Sequence, residues 1–353
     1  MAKPVSLLII LFVFSCCYSS CNPGIKTGDQ NDFKERKDAL INYLQEVIAD
    51  SLVISGQHCG NGNATAQGYE AYVEGLYQKT GKYPGLIGLE YGYSPGNDLS
   101  LINSYAVKHS QSGGIVTITW HADNLWAAGY NCRWNSEENR QVIDFSLLLK
   151  VAPESEVKSS YRAELLKVGQ ALAELRDAGI VVFWRPFHEM NGNWFWWGPD
   201  DVKSPTSNDD YILLWKDMYE TFTRDLELNN LIWIYSPMLK AEWTSPINTF
   251  YPGDDMVDLV GVDIYSTIPE FNDYEALKKM GKPIVIGEIG PVKESYGKYD
   301  ALDVLNALRG KAAWFLQWSS WTNARVATVD NPNAAEMMNH KSVVTLDKMN
   351  VLK

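Results

Sequence analysis

The chain has 353 residues, 46% of them hydrophobic, and 31 basic against 43 acidic side chains give a formal charge of −12. That length buries a large core and suits one elaborated domain, since a (β/α)8 barrel takes about 250 residues or somewhat more. A surface of this sign excludes nucleic acid and anionic membrane as natural partners and favours an uncharged ligand.

At the N-terminus Lys3 precedes an apolar run, Val5 to Phe14, and then the small residues and cysteines Ser15-Cys16-Cys17-Tyr18-Ser19-Ser20-Cys21. This order is that of an export signal, expected over residues 1–21, and the apolar run is too short to span a bilayer. Small residues immediately before a cysteine resemble a bacterial lipoprotein processing site. The mature chain is then expected to begin near Cys21 or Cys16, acylated there and held on a membrane in the periplasm or at the outer membrane. Polar, glycine-containing residues 22–31 read as a tether, leaving 32–353 as one catalytic-sized domain. Cys59 and Cys132 remain beyond the signal, in a compartment where disulfides survive; a bridge and two buried thiols are both open.

From Asp29 to Asp50 the apolar positions Ala39, Leu40, Tyr43, Leu44, Val47 and Ile48 keep a helical period. Strand-like runs then appear at Leu52–Cys59, Pro84–Tyr91, Gly114–His121, Gly179–Glu189, Leu231–Ser236, Val257–Tyr265, Pro283–Ile289 and Ala312–Trp318. Helical patterns fall between most of them: Tyr69–Lys79, Leu99–His109, Ser136–Leu148 with Tyr161–Asp177, Tyr211–Leu226, Tyr274–Met280 and Ala301–Leu308. The 236–256 connection shows no helix, and a last helical stretch is expected from Ala334 to about Leu346. Eight apolar runs alternating with helices predict an α/β fold, a (β/α)8 TIM barrel. An open doubly wound sheet is the alternative, but Gly56, Gly60 and Gly62 lack the dinucleotide-loop spacing and no phosphate loop follows any strand.

In such a barrel the chemistry sits at the C-terminal strand ends, which here carry His58, Glu90, His121, His188, Glu189, Asp263, Tyr265, Glu288 and Trp318. A carboxyl group at the end of a buried strand must find partners or cost about 1–3 kcal/mol. Glu189 ends the fourth run and Glu288 the seventh, so the two can face each other across the barrel mouth with a ring between them. One protonated and one ionised carboxyl, so placed, is what cleavage of a glycosidic bond requires. Indole is dense beside the first, in Trp194-Phe195-Trp196-Trp197-Gly198, and flat apolar rings of this kind stack on sugars.

The stretch Arg185-Pro186-Phe187-His188-Glu189-Met190-Asn191-Gly192-Asn193-Trp194-Phe195-Trp196-Trp197-Gly198 resembles the acid/base strand of glycoside hydrolase family 26. The best-known members of that family are retaining endo-β-1,4-mannanases. Ile286-Gly287-Glu288 is placed like the family's nucleophile, and the resemblance runs over nearly all of the chain after the tether. It implies Glu189 as acid/base and Glu288 as nucleophile, with His121, His188, Trp194, Tyr265 and Trp318 as substrate contacts. Tyr265 is expected to hydrogen-bond the nucleophile. Arg185 shares strand parity with Glu189 and is read as holding a carboxylate. Trp126 and Trp134, in the ring-rich loop after the third strand, and Trp196 and Trp197 are candidates for distal sugar subsites; each is also readable as a core indole. No metal or cofactor is implied, and the expected partner is β-mannan or its oligosaccharides.

Three other readings compete. Relatives in the family cleave xylan or mixed-linkage glucan. His58, His121, His188 and Asp263 at one rim are compatible with a hydrolytic metal, although the first strand lacks a paired His-x-His and no His-Glu-x-x-His helix occurs. A lipid-anchored glycan-binding module needs the tryptophans but neither glutamate.

Overall fold

The computed structural model describes residues 30–93, 96–126, 132, 143–149, 155–198 and 207–349. The signal and tether expected over 1–31 lie outside these but for the first helical residues, as does most of the helix expected over Ser136–Leu148, of which Ser146–Leu149 is seen as a short helix. No helix among the described residues is long and apolar enough to cross a membrane.

Eight parallel strands form the frame: β1 (Val53–His58), β2 (Leu86–Glu90), β3 (Ile115–Trp120), β4 (Val182–Pro186), β5 (Leu231–Tyr235), β6 (Leu259–Ser266), β7 (Ile284–Pro291) and β8 (Trp314–Gln317). Each pairs with the next in chain order, and β8 and β2 both pair with β1, so the sheet closes into a (β/α)8 barrel. Closure gives each of the eight strands a neighbour on both sides, and the short apolar runs that predicted the strands are buried on both faces, as a covered parallel sheet requires.

Two apolar layers hold the frame. Outside the barrel, strand residues such as Ile87, Val116, Trp184, Trp233 and Ile286 pack on the surrounding helices. Lower in the barrel, Ile54, Leu86, Ile115, Phe183, Ile232, Val285 and Leu316 form a separate cluster with Phe33, Leu40, Leu44 and Val47 of the first helix, Gln30–Ala49. Arg36 of that helix donates to the carbonyl of Gly179 at 2.6 Å and Lys37 to that of Leu231 at 3.3 Å, both at strand starts. The first helix therefore plugs the N-terminal end of the barrel, opposite the end that carries the polar strand termini.

The chain's end departs from expectation. Instead of one helix from Ala334 to Leu346 there is a short helix, Ala334–Met338, then β9 (Val343–Val344) and a 3-10 turn, Leu346–Lys348. β9 pairs with Val53 and Ile54, below the point where β2 first meets β1 at Gly56. The stagger of a closed barrel leaves that stretch of β1 unpaired on one side, and two β-branched residues fill it. The helix expected over Tyr69–Lys79 is present, but its Tyr69–Glu74 turn is π-helical. Cys59 and Cys132 are both buried and are not joined to each other, which settles the open choice against a bridge.

His109, at the end of the helix Leu99–Gln111, is buried and its Nε2–H donates to the Gly85 carbonyl at 3.2 Å. Burial holds its pKa down to about 4, from an ordinary value near 6.5 in the unfolded chain. The unfolded state thus takes up a proton that the folded state refuses, so the stabilisation is present above about pH 6.5 and is lost as pH falls toward 4. We expect urea midpoints to drop over that interval, and His109→Gln, which keeps a donor without the titration, to flatten part of the slope.

Candidate active site

β4 ends at Pro186, three residues short of Glu189, and the chain then turns sharply: Phe187 has φ 44° and Glu189 φ 53°. A left-handed backbone at a non-glycine residue costs about 1–2 kcal/mol. It is offset by bonds that fix the turn, Glu189 N–H to the Ser236 carbonyl at 2.8 Å and Gly192 N–H to the Glu189 carbonyl at 3.0 Å. The Trp194 indole folds back over Gly192, where a Cβ would stand 1.9 Å from the ring, and its Nε1–H donates to Glu189 Oε2 at 2.6 Å. The same turn that distorts the backbone therefore aims the carboxyl inward and lays an aromatic wall beside it.

Glu288 arrives from the opposite side on β7, just beyond an irregularity in the pairing of β6 with β7. Its Oε1 accepts from Arg185 Nη2 at 2.6 Å and its Oε2 from the Tyr265 hydroxyl at 2.7 Å. Arg185 is wholly buried and also grips Asp263 Oδ2 at 2.8 Å and Thr119 Oγ1 at 3.0 Å, while Ser236 donates to Asp263 Oδ1 at 2.9 Å. Gly287 makes room for this network, since a Cβ there would lie 2.4 Å from both Asp263 Oδ1 and Ser236 Oγ.

Glu189, Asp263 and Glu288 each present a carboxylate oxygen within 4.8 Å of the other two. One guanidinium cannot balance three carboxylates in so small a buried volume, so the cluster favours retaining a proton. Burial would lower the Arg185 pKa, but Asp263 and Glu288 raise it beyond its ordinary value, and it remains charged. Burial pushes the Asp263 carboxyl up, Arg185 opposes the rise and Glu288 adds to it. Burial, and then the Glu288 charge, push Tyr265 well above its ordinary range, so its hydroxyl keeps the proton it donates.

The imidazoles sit between these groups. His188 Nε2 lies 3.5 Å from Glu288 Oε1, and burial followed by the Arg185 charge holds its pKa far below the ordinary value, so the ring is neutral. His121 Nδ1 is 2.6 Å from Glu90 Oε2, and its backbone N–H donates to Glu90 Oε1 at 2.9 Å. A ring nitrogen of His121, one of His188 and an oxygen of Glu288 lie within 4.8 Å of one another. His58, neutral for the same reasons as His188, stacks flat on Trp318 with ring centroids 3.7 Å apart and planes 10° from parallel. One face of Trp318 is thus supported from below.

All of this opens into a cleft of about 860 Å³ whose walls include His121, His188, Glu189, Trp194, Tyr265, Glu288 and Trp318. Residues 29–348 match the sequence model of Glycosyl hydrolase family 26, which is nearly the whole chain. The chain is a member of glycosyl hydrolase family 26. It is 30% identical over 315 residues to "Mannan endo-1,4-beta-mannosidase A and B" of Caldalkalibacillus mannanilyticus, covering 84% of this chain and 57% of that protein. It is 28% identical over 333 residues to a mannan endo-1,4-beta-mannosidase of Bacillus subtilis, covering 89% of this chain and 88% of that one. The solved structure of Bacillus subtilis mannanase man26 superposes with a TM-score of 0.74 at 26% identity, over 88% of this chain and 92% of that one. As a family 26 protein the chain is a glycosidase.

Within the family 26 cleft the tryptophans separate by burial. Trp196 and Trp197 are only 1% and 0% exposed, so neither forms a distal subsite as the sequence suggested. Their indole N–H groups donate to the carbonyls of Ala122 and His188, both at 2.8 Å, and so brace the site from behind. Trp126, half-buried, packs on Phe145 and Trp196 at the edge of a loop that lies outside the described residues. Trp134 lies outside the described residues. The rim rings are instead Tyr72, Tyr93, Trp243, Tyr296 and Trp321, none of which sequence reasoning singled out. Trp243 and Trp321 sit in stretches without apolar periodicity, so nothing local separated them from any other loop aromatic.

The metal reading fits poorly. A cation held by His121, His188 and Glu288, or by Glu189, Asp263 and Glu288, would share a carboxylate with the charged Arg185 guanidinium, and the two positive charges would repel. His58 is occupied under Trp318 and its Nδ1 takes the Gly60 N–H at 3.2 Å.

Replacing Arg185 by Met leaves two carboxyls buried without their cation. We expect the variant to lose about 3–5 kcal/mol of stability at neutral pH. The deficit narrows toward acid pH as the stranded carboxyls protonate; urea unfolding across pH measures both.

Proposed function

We propose that the chain is a retaining endo-β-1,4-mannanase, with Glu189 as acid/base and Glu288 as nucleophile. The carrying observation is the approach of Glu189 and Glu288 oxygens to within 4.8 Å. Retaining glycosidases hold their carboxyls about 5–5.5 Å apart, whereas inversion needs roughly 6.5–9.5 Å to seat a water. Mannan as substrate is supported by the names of the relatives and by the aromatic lining of the cleft, which includes Trp194, Trp243, Trp318 and Trp321.

In the first step a Glu288 oxygen attacks the anomeric carbon while Glu189 gives its proton to the departing glycosidic oxygen. Arg185 and Tyr265 grip the two oxygens of Glu288 and aim it, neutral His188 offers a nitrogen to a sugar hydroxyl without adding charge, and His121 is held in place by Glu90. Forming the glycosyl ester removes the negative charge on Glu288. The pKa of Glu189 falls in consequence, and it then takes a proton from the water that releases the sugar. Configuration at the anomeric carbon is restored by the second inversion.

We further propose export with an acylated cysteine, on the order of charged, apolar and small residues before Cys16 and Cys21. Lipid labelling that survives replacement of both cysteines would overturn it.

A product time course on linear mannan, galactomannan, xylan and mixed-linkage glucan, with anomers followed by NMR, tests substrate and stereochemistry together. The β-anomer appears first from mannans; an α-anomer first, or preference for xylan or glucan, sinks the proposal. Glu189→Ala slows natural mannan by roughly 10²–10⁴-fold. It spares the first step for an aryl glycoside with a good leaving group, and equal loss on both substrates contradicts the acid role. Activity unchanged after exhaustive chelation is the expected result for metal-independent chemistry.

A further inference from the structure

The loop that follows β5 is tied down along its length. Asn191, buried in the acid's own turn, donates from Nδ2 to the carbonyls of Met238 at 2.9 Å and Ser245 at 3.1 Å, and its Oδ1 accepts from Met238 N–H at 2.7 Å. Ser245 N–H returns a bond to the Asn191 carbonyl at 2.9 Å. Leu239 N–H is held by the Asp263 carbonyl at 2.9 Å, and Lys240 N–H by Asp273 Oδ2 at 2.7 Å. Between these anchors Thr244 closes a turn, its hydroxyl accepting from Ala241 N–H at 2.8 Å.

The turn presents Trp243, which is 58% exposed, lines the cleft and meets Trp194 edge to face with centroids 5.4 Å apart and planes at 66°. A large apolar ring on so rigid a mount is preorganised for a ligand, because little side-chain or loop freedom remains to be lost on binding. Its position assigns the direction. Trp194 is bonded to Glu189, whose proton goes to the leaving oxygen, so the leaving sugar lies against Trp194 and the unit beyond it meets Trp243. The angle between the two indoles suits successive rings of a β-linked chain, which face different ways.

We propose that Trp243 is the stacking platform for the second sugar on the leaving-group side, through the same turn that positions the acid. This deepens the mannanase reading and rests on it. Binding energy gained there is remote from the reacting bond and is available to orient the scissile oxygen against Glu189, so it acts on kcat as well as KM. The surface selects substrates with at least two units beyond the cleavage point, which is a basis for internal cleavage.

The test compares Trp243→Ala with wild type on β-1,4-manno-oligosaccharides of four to six units and on an aryl β-mannobioside, whose leaving group carries no sugar. The loss in kcat/KM is expected to be on the order of tenfold greater for the oligosaccharides than for the aryl substrate. Products from the hexamer should shift toward cleavage nearer the reducing end, and Trp243→Phe should recover most of the loss because stacking survives. Equal losses on both substrate types, or an unchanged hexamer pattern, overturn the assignment. Failure of the mannanase reading is distinguishable, because wild type would then cleave xylan or glucan rather than mannan. The same comparison with oligosaccharides of that glycan still decides the role of Trp243.

Discussion

The Arg185 guanidinium is the constraint around which the site is organised. It is wholly buried at the top of the barrel and reaches three neighbouring elements at once, Thr119 of β3, Asp263 of β6 and Glu288 of β7. Taking such a charge out of water costs several kcal/mol, which only close carboxylates in good geometry can return. The arrangement is therefore all or nothing: with both partners in place the cation is matched by two carboxyls, and without it two acids are stranded. Gly287 is the backbone consequence, because the network occupies the space its side chain would take.

Around this centre the polar groups work in pairs, one facing the cleft and one behind it. Glu90 holds His121, and the carbonyl of His188 receives Trp197. His58 lies under Trp318 as the flat support of an aromatic surface. Holding His188 and His58 neutral beside Arg185 follows from burial and from that charge itself, and a neutral His188 can donate to a sugar hydroxyl without adding a second cation beside Glu288.

The strain in the structure is local and sits where the chemistry does. Glu189 takes a left-handed backbone three residues beyond β4, in a turn closed through Ser236 and Asn191 onto the β5 loop. A strand continuing straight through would alternate its side chains and carry the carboxyl no further than the barrel wall. The turn instead lifts Glu189 over the mouth, within reach of a carboxyl delivered from β7. The first helix, far below, contributes by filling the bottom of the barrel, and the cleft lies at the opposite rim.

What was determined by sequence alone is what depends on local pattern. Alternating apolar runs and helical periods marked all eight barrel strands, and carboxyl groups after buried runs marked Glu189 and Glu288. The same signal also marked Glu90, which turned out to orient His121; a strand-end acid reads alike whether it faces the substrate or another side chain. Arg185 was legible as a carboxylate holder through strand parity, but its second partner, Asp263, was not. The tertiary structure alone decided which tryptophans meet the cleft, because exposure depends on how distant turns close over one another. Trp196 and Trp197 looked like binding surface and are buried props, while Trp243 and Trp321, unremarked in their loops, stand open on the rim. It also decided that the final residues complete β1 as a strand, since the gap they fill exists only once the barrel has closed.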